Sequence, residues 1–137
     1  LVGVELKKHG FSNFYGADLS QKLLDLVPKG LYKKLDKLDL NKPININDNS
    51  YDAVMCVGTF TFGHVKPHAL DEFIRITKNK GFICFTINEG IHEEYGFDKK
   101  IKQLSNENFW KKIEFFKSDY IASKEVNAWL GLYKVNK

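Results

Sequence analysis

Acidic side chains close two short apolar segments in the first third of the chain. Asp18 follows the run FYGA, and Asp39 and Leu40 end a leucine-rich segment. Ligands bind at the carboxyl ends of strands in parallel sheets, and a carboxylate placed there can accept hydrogen bonds from both hydroxyls of a ribose. A second carboxylate can accept from an adenine amino group, while Leu19 or Leu40 packs on the ring. The pattern indicates a nucleoside site, with a helix cap or an Asx-turn at each aspartate as the alternative.

A third strand end carries small residues instead of acids. The continuous apolar run in YDAVMCVG, residues 51–58, is typical of a strand buried on both faces of a parallel sheet. Gly58 at its end would let a ligand approach the backbone closely. A nucleoside site of this kind also needs a glycine-rich loop about 20 residues before the acid. Counting back from Asp18 reaches the start of the chain, so we expect that loop and the first strand to precede Leu1.

The remaining pattern alternates between strands and helices. The spacing of apolar residues and of Gly, Pro and Ser predicts, in chain order, a helix over 1–9, a strand over 11–17, a helix over 21–30, a helix remnant and then a strand near 34–38, a strand over 51–58, a helix after Pro67, a strand over 82–87, a polar loop over 88–98, a helix over 98–110, and strands over 112–121 and 127–135. Alternation of this kind predicts an α/β fold with a parallel sheet. The last two strands have no helix between them and are therefore expected to be antiparallel.

Composition narrows the class of protein. The 137 residues favour a single domain over 1–137 with a net charge of +4, and Arg75 is the only arginine among 21 basic residues. Nucleic-acid sites rely on arginine for bidentate contacts, so the charge carries no strong nucleic-acid signal. No apolar run approaches the ~20 residues that cross a bilayer. Cys56 and Cys84 sit in apolar runs without metal-ligand spacing, which favours reduced thiols in a cytoplasmic or nuclear protein.

Five segments together resemble a known family over nearly the whole chain. They are GADLS, LDL, DNSYDAVMCVGTFTFGHV, ALDEFIRITKNKGFICFTI and EEYGFD. In this order and spacing they resemble the class I S-adenosylmethionine-dependent methyltransferases, most closely the methyltransferase-like proteins of the Williams–Beuren syndrome critical region. The resemblance implies a Rossmann-like methyltransferase fold, a mostly parallel sheet whose last strand inserts antiparallel. The chain would lack the first strand and its glycine-rich loop.

The resemblance also implies a cofactor, S-adenosyl-L-methionine, and a place for each candidate residue. Asp18 would hold the ribose, and Leu19 would pack near the adenine. Asp39 and Leu40 would lie near the adenine edge. The residues beside the methionine part of the cofactor would be Val57 and Gly58. The candidate catalytic residue is His64, which follows the strand over 51–58 and could touch the acceptor or accept a proton. A loop histidine that only caps or packs is the alternative.

The acceptor is not specified by these residues. We expect methyl transfer to a small molecule or a protein. Separately, four residues that follow the strand over 82–87 could rim a substrate pocket: Glu89, Glu93, Glu94 and Tyr95. The same residues would be a solvated loop in the alternative interpretation, and Trp110 and Trp129 are expected in the core. Two other functions stay open at this point: a non-catalytic fragment or pseudoenzyme, and a nicotinamide-dependent oxidoreductase, which would also use Asp18 on a ribose.

Overall fold

The computed structural model describes residues 8, 10, 14–18, 21–27, 30–60, 66–121 and 126–137. The helix predicted over 1–9 is almost wholly outside these residues, and Leu19 and His64 lie outside them too. Asp18 and Gly58 are described in their backbone. The described chain divides into two compact units, Leu1–Ile44 and Asn45–Lys137, and each is treated below by itself.

The elements of the described residues are, in chain order, β1 (Gly16–Asp18), α1 (Gln21–Asp25), β2 (Leu35–Lys37), β3 (Tyr51–Phe60), α2 (Ala69–Ile76), β4 (Thr77–Asn88), α3 (Glu89–His92), α4 (Phe97–Asn106), β5 (Trp110–Ile121) and β6 (Val126–Val135). They confirm the predicted alternation of strands and helices. They also confirm that two successive strands, β5 and β6, come last. Within the described residues, no helix has both the length and the apolar character that a membrane span requires.

The first unit is built on a parallel pair of strands. β1 and β2 align Gly16 with Leu35 and Asp18 with Lys37. The helix remnant predicted between residue 31 and the strand is wrong, because these residues form bends that lead directly into β2. The N–H of Lys33 donates to Phe14 O at 2.9 Å. Because this donor pairs with a residue before β1, it is not available to an intrahelical hydrogen bond.

The second unit contains a four-stranded sheet in the order β3-β4-β6-β5. β3 and β4 are parallel, whereas β6 lies antiparallel to both β4 and β5. The last strand of the chain therefore inserts between its two predecessors. This arrangement confirms the prediction of a parallel sheet that ends in an antiparallel pair.

The two faces of this sheet differ in burial. On one face, Phe60 of β3 meets Phe73 of α2 and Phe97 of α4, at ring-centroid distances of 6.0 and 4.8 Å. Phe85 of β4 stacks on Tyr133 of β6 at 5.7 Å, which extends the aromatic core under the helices. The large apolar residues of the other face are partly exposed: Met55, Val57, Phe82 and Phe116. The apolar runs of the strands thus form one buried face and one face that contacts water, so the prediction that residues 51–58 are buried on both faces is wrong.

The only arginine of the chain fastens the end of α2 to the loop before β3. Arg75 donates through Nη1 to Ile46 O at 2.6 Å and to Asp48 Oδ1 at 2.8 Å. Its Nε donates to Glu72 Oε2 at 2.5 Å. The planar guanidinium reaches these acceptors at once, as a lysine could not. The lone arginine therefore has a structural role between α2 and the loop before β3.

Candidate functional site

The two aspartates of the first unit lie at the same edge of a parallel strand pair. Asp18 is the last residue of β1 and pairs with Lys37, the last residue of β2. Asp39 lies two residues beyond that pair, which is about 7 Å along an extended strand. Both aspartates therefore stand at the carboxyl edge where a ligand of a parallel sheet would bind.

The Asp39 carboxylate has a local partner. Its Oδ1 accepts from the backbone N–H of Asn41 at 2.9 Å, which is the Asx-turn that the alternative interpretation predicts. A carboxylate has two oxygens and several lone pairs, so this one bond leaves acceptor capacity for a ligand. Leu40 beside it is half-buried. The roles of Asp18, Leu19, Asp39 and Leu40 at an adenosine remain predictions.

β3 leaves its regular pairing near the residues predicted to pass the cofactor. Cys56 pairs with Phe85, but the next pair joins Phe60 to Ile87, so β3 advances four residues while β4 advances two. Such irregularities are common next to active sites, where they free the backbone from the ladder. Val57 lies at the start of this irregular stretch with 39% of its surface exposed. The predicted places of Val57 and Gly58 beside the cofactor, and the role of His64, remain predictions.

A cavity of about 580 Å³ opens where β4 ends and α3 begins. Its walls come from α3 and the residues after it, from β5 and from β6. The residues that line it are Glu89, Gly90, His92, Glu93, Glu94, Lys117 and Trp129. Three of the four residues predicted to rim a pocket are therefore brought together. Tyr95 is not among them. The Lys66 ammonium lies over its ring, 3.8 Å from the ring centroid, in a cation–π contact.

The helix α3 that forms one wall is a single turn held from both ends. Asn88 caps it, its Oδ1 accepting from Gly90 N at 2.8 Å. Ile91 is fully buried and anchors the turn to the core. Glu89 of α3 also forms an ion pair with Lys117 of β5, with its Oε2 2.5 Å from Nζ. The loop predicted over 88–98 is thus right for residues 93–96, which form turns, and wrong for α3 and for the first residues of α4.

Aromatic rings form the other wall. Trp129 stacks on Phe115 with a centroid distance of 5.1 Å and an angle of 7° between the rings. His92 contacts both rings, at 5.2 Å from Trp129 and 5.7 Å from Phe115. Trp110 is buried as predicted, with 2% exposed, but Trp129 is half-buried and lines the cavity. The prediction that Trp129 belongs to the core is therefore incomplete.

Burial sets the charge of His92. Desolvation among the rings lowers the pKa of His92 below its ordinary value of 6.5, and the carboxylates of Asp98 and Glu93 offset part of that effect. The imidazole is therefore neutral at pH 7. The described residues contain no group of three or more His, Cys, Asp or Glu side chains that could hold a metal ion.

The lowered pKa of His92 predicts a loss of stability in acid. The unfolded chain binds a proton near pH 6.5, whereas folded His92 binds one only at a lower pH, so the free energy of unfolding falls as the pH drops through that interval. His92→Gln removes the linkage. We expect urea unfolding between pH 7.5 and 5 to show a shallower pH dependence for His92→Gln than for the wild type. His68→Gln, at an exposed position, is the control, and identical slopes for His92→Gln and wild type would contradict the prediction.

Solved structures of methyltransferases share this fold. The structure superposes on an S-adenosylmethionine-dependent methyltransferase from Mesorhizobium loti with a TM-score of 0.65 and 10% identity, over 96% of this chain and 84% of that one. It superposes on the N-methyltransferase NodS from Bradyrhizobium japonicum, solved with S-adenosyl-L-homocysteine, with a TM-score of 0.55 and 11% identity, over 99% and 85%. The fold is the Rossmann-like fold of S-adenosylmethionine-dependent methyltransferases.

The sequence itself establishes the family. Residues 3–85, more than half of the chain, match the methyltransferase domain family, and the chain belongs to it. Methyltransferase-like protein 27 of Homo sapiens is 28% identical over 116 residues, which are 81% of this chain and 47% of that protein. The chain thus spans about half the length of this relative. The match is consistent with the resemblance found in the sequence.

Proposed function

We propose that this chain is an S-adenosyl-L-methionine-dependent methyltransferase domain that binds the adenosine of its cofactor at the carboxyl edge of β1 and β2. One observation carries the proposal: the parallel register sets Asp18 and Asp39 at that same edge, inside the part of the chain that matches the family. The cofactor, when bound, supplies a methyl group on a sulfonium. Cys56 and Cys84 are not joined in a disulfide, which supports placing this function in a reducing compartment such as the cytoplasm.

The chain's own residues have distinct tasks in this proposal. Asp18 accepts hydrogen bonds from the ribose hydroxyls, while Asp39 accepts from the adenine amino group. Leu19 and Leu40 cover the ring and exclude water from it. These contacts bind and orient; displacement at a sulfonium carbon is accelerated mainly by positioning and by exclusion of water, without an obligatory side-chain base.

The residues near the acceptor have simpler tasks. Val57 and Gly58, where β3 leaves its regular pairing, give the methionine part of the cofactor access to the backbone. His64 contacts the acceptor and can take a proton from it. The acceptor itself is a small molecule or a protein.

Binding of S-adenosylhomocysteine tests the proposal directly. Loss of a charged acceptor that holds a ribose costs about 1.5–3 kcal/mol, so we expect Asp18→Ala to weaken binding about 10- to 100-fold in isothermal titration calorimetry. Asp25→Ala is the matched control, because Asp25 is an exposed aspartate of α1 whose recorded partner is Gln21. Circular dichroism must show that each variant is folded.

Three other results would argue against the proposal. A folded wild-type chain that binds no S-adenosylhomocysteine would favour the non-catalytic interpretation. Equal binding by Asp18→Ala and wild type would leave Asp18 as a turn residue. Tight binding of NADH in place of S-adenosylhomocysteine would favour the oxidoreductase.

A further inference from the structure

The cavity at the end of β4 is negative on a chain that is positive overall. Three carboxylates, those of Glu89, Glu93 and Glu94, face one ammonium, that of Lys117. His92 adds no charge at pH 7 because burial lowers its pKa. The chain as a whole has a net charge of +4. This local reversal of sign attracts cations to the cavity and repels anions from it.

The aromatic wall favours an organic cation. Trp129 lines the cavity, with Phe115 stacked parallel to its ring and His92 tilted beside it. The face of a tryptophan ring attracts ammonium groups more strongly than any other side-chain ring. A carboxylate wall and a tryptophan wall together recognise both parts of an organic amine, its charge and its carbon skeleton.

The cavity already shows how it receives an ammonium group. Lys117 places its Nζ 2.5 Å from Glu89 Oε2, although both side chains keep a large exposed fraction. A lysine ammonium has the same donors as a protonated primary amine. With Lys117 held by Glu89, the carboxylates of Glu93 and Glu94 exceed the cations of the wall by two.

The volume matches a small ligand. About 580 Å³ falls within the range of roughly 300–1,000 Å³ that small-molecule sites occupy. The cavity is open to solvent, so a small amine can enter it directly.

We propose that this cavity binds the methyl acceptor and that the acceptor is a small organic amine, recognised by Glu93, Glu94 and the ring of Trp129. That the bound amine is a methyl acceptor rests on the proposed function, whereas the recognition of an amine depends on the cavity alone. In the reaction, the bound ammonium first releases a proton to a base, the role proposed above for His64. The nitrogen lone pair then forms the new N–C bond while the methyl–sulfur bond breaks, and the electron pair of that bond stays on sulfur, which leaves as a neutral thioether.

Benzylamine is a suitable probe, with benzyl alcohol as its neutral analogue and benzoate as its anionic one. We expect backbone amide shifts of Gly90 and Trp129 in ¹H–¹⁵N spectra to titrate with benzylamine and not with the other two. The double variant Glu93→Gln/Glu94→Gln should weaken benzylamine binding about 3- to 10-fold, the scale of two partly exposed charge contacts. Glu114→Gln is the matched control, since Glu114 is an exposed glutamate of β5 outside the cavity.

Lys117→Met gives a test of opposite sign. Removing the internal ammonium releases Glu89, so we expect benzylamine to bind about 2- to 5-fold more tightly. Lys112→Met, an exposed lysine of the same strand, should leave the affinity unchanged. A variant that only damaged the fold could not improve binding.

Several results would overturn the inference, and they are separable from failure of the proposed function. Equal binding of benzylamine and benzyl alcohol would do so, as would unchanged affinity in either cavity variant. Displacement of benzylamine by MgCl₂ beyond that by NaCl of equal ionic strength would assign the cavity to metal cations instead. S-adenosylhomocysteine binding is measured on the same samples: its loss with amine binding intact would refute the proposed function alone, and the reverse would refute only the amine site.

Discussion

Replacing Phe60 with alanine is expected to destabilise the unit over residues 45–137 by about 3–5 kcal/mol. Phe60 is fully buried. Its ring lies between Phe73 of α2 and Phe97 of α4 and meets Phe85 of β4 edge-on at 6.2 Å. Truncation removes the ring and leaves a cavity bounded by these three elements. Close-packed interiors fill such a gap poorly.

A second phenylalanine gives the control for this experiment. Phe116 on β5 leaves 44% of its surface exposed, so Phe116→Ala should change stability by no more than about 1 kcal/mol. Urea unfolding followed by circular dichroism and tryptophan fluorescence measures both variants. If Phe60→Ala does not fold, Phe60→Leu retains most of the volume and should lose about 1–2 kcal/mol. A loss for Phe60→Ala no larger than that for Phe116→Ala would refute the position of Phe60 at the centre of this core.

Gly81→Ala is the second substitution with a large expected effect, and propensity alone predicts the opposite sign. Alanine fits a strand better than glycine, by about 0.5–1 kcal/mol. In the structure, however, a Cβ at Gly81 would lie 2.6 Å from the carbonyl oxygen of Asp52 and 2.9 Å from that of Lys78. Both obstacles are backbone atoms at the point where β4 bulges between Thr77 and Phe82. We expect a net loss of about 2–3 kcal/mol, since the two strands must separate to admit the methyl group.

The control for this variant is a glycine with open space around it. Gly96 has φ +81 and no atom within 4 Å of a built Cβ, and asparagine tolerates that left-handed conformation. Gly96→Asn should therefore lose no more than about 1 kcal/mol, the strain of the left-handed backbone, in the same urea titration. A Gly81→Ala protein as stable as the wild type would show that the β3–β4 bulge adapts, and would contradict the prediction.

The strands of the second unit were predictable because their residues repeat the simplest signals. The apolar run over 51–58 and the run over 82–87 predict two strands of a buried parallel sheet, and both lie inside β3 and β4. The absence of a helical pattern between 112–121 and 127–135 predicts the antiparallel pair. These elements depend on local composition, which can be read directly from the sequence.

Other elements depend on partners that the local pattern does not contain. β4 begins at Thr77, in the polar stretch TKNK, because Tyr51 of β3 pairs with Thr77 across the bulge. The helix α3 is one turn of polar residues anchored by Ile91, too short for a periodic signal. Both features arise from tertiary pairing and burial, which override the preferences of a few polar residues.

The candidate sites divide in the same way. Aspartates directly after apolar segments pointed to the edge of β1 and β2, because the end of a strand can be read from the sequence. The cavity could be predicted only in part. Glu89, Glu93 and Glu94 follow a strand and were recognised, whereas Lys117 and Trp129 become wall residues because the antiparallel register pairs them. Register between distant strands is set by the whole sheet, so neither residue carries a local sign of its position.

The position of β6 has a consequence for synthesis on the ribosome. β4 and β5 have no common border until β6 inserts between them, and β6 ends at Val135. Translation adds roughly 5–20 residues per second. Until Tyr133 has been synthesised, the rings of Phe85 and Trp110 lack the third ring of their stack. The nascent sheet therefore displays apolar strands without their central partner for several seconds. We therefore expect a chaperone that binds extended apolar segments to bind this domain at that stage, whatever the stability of the finished fold.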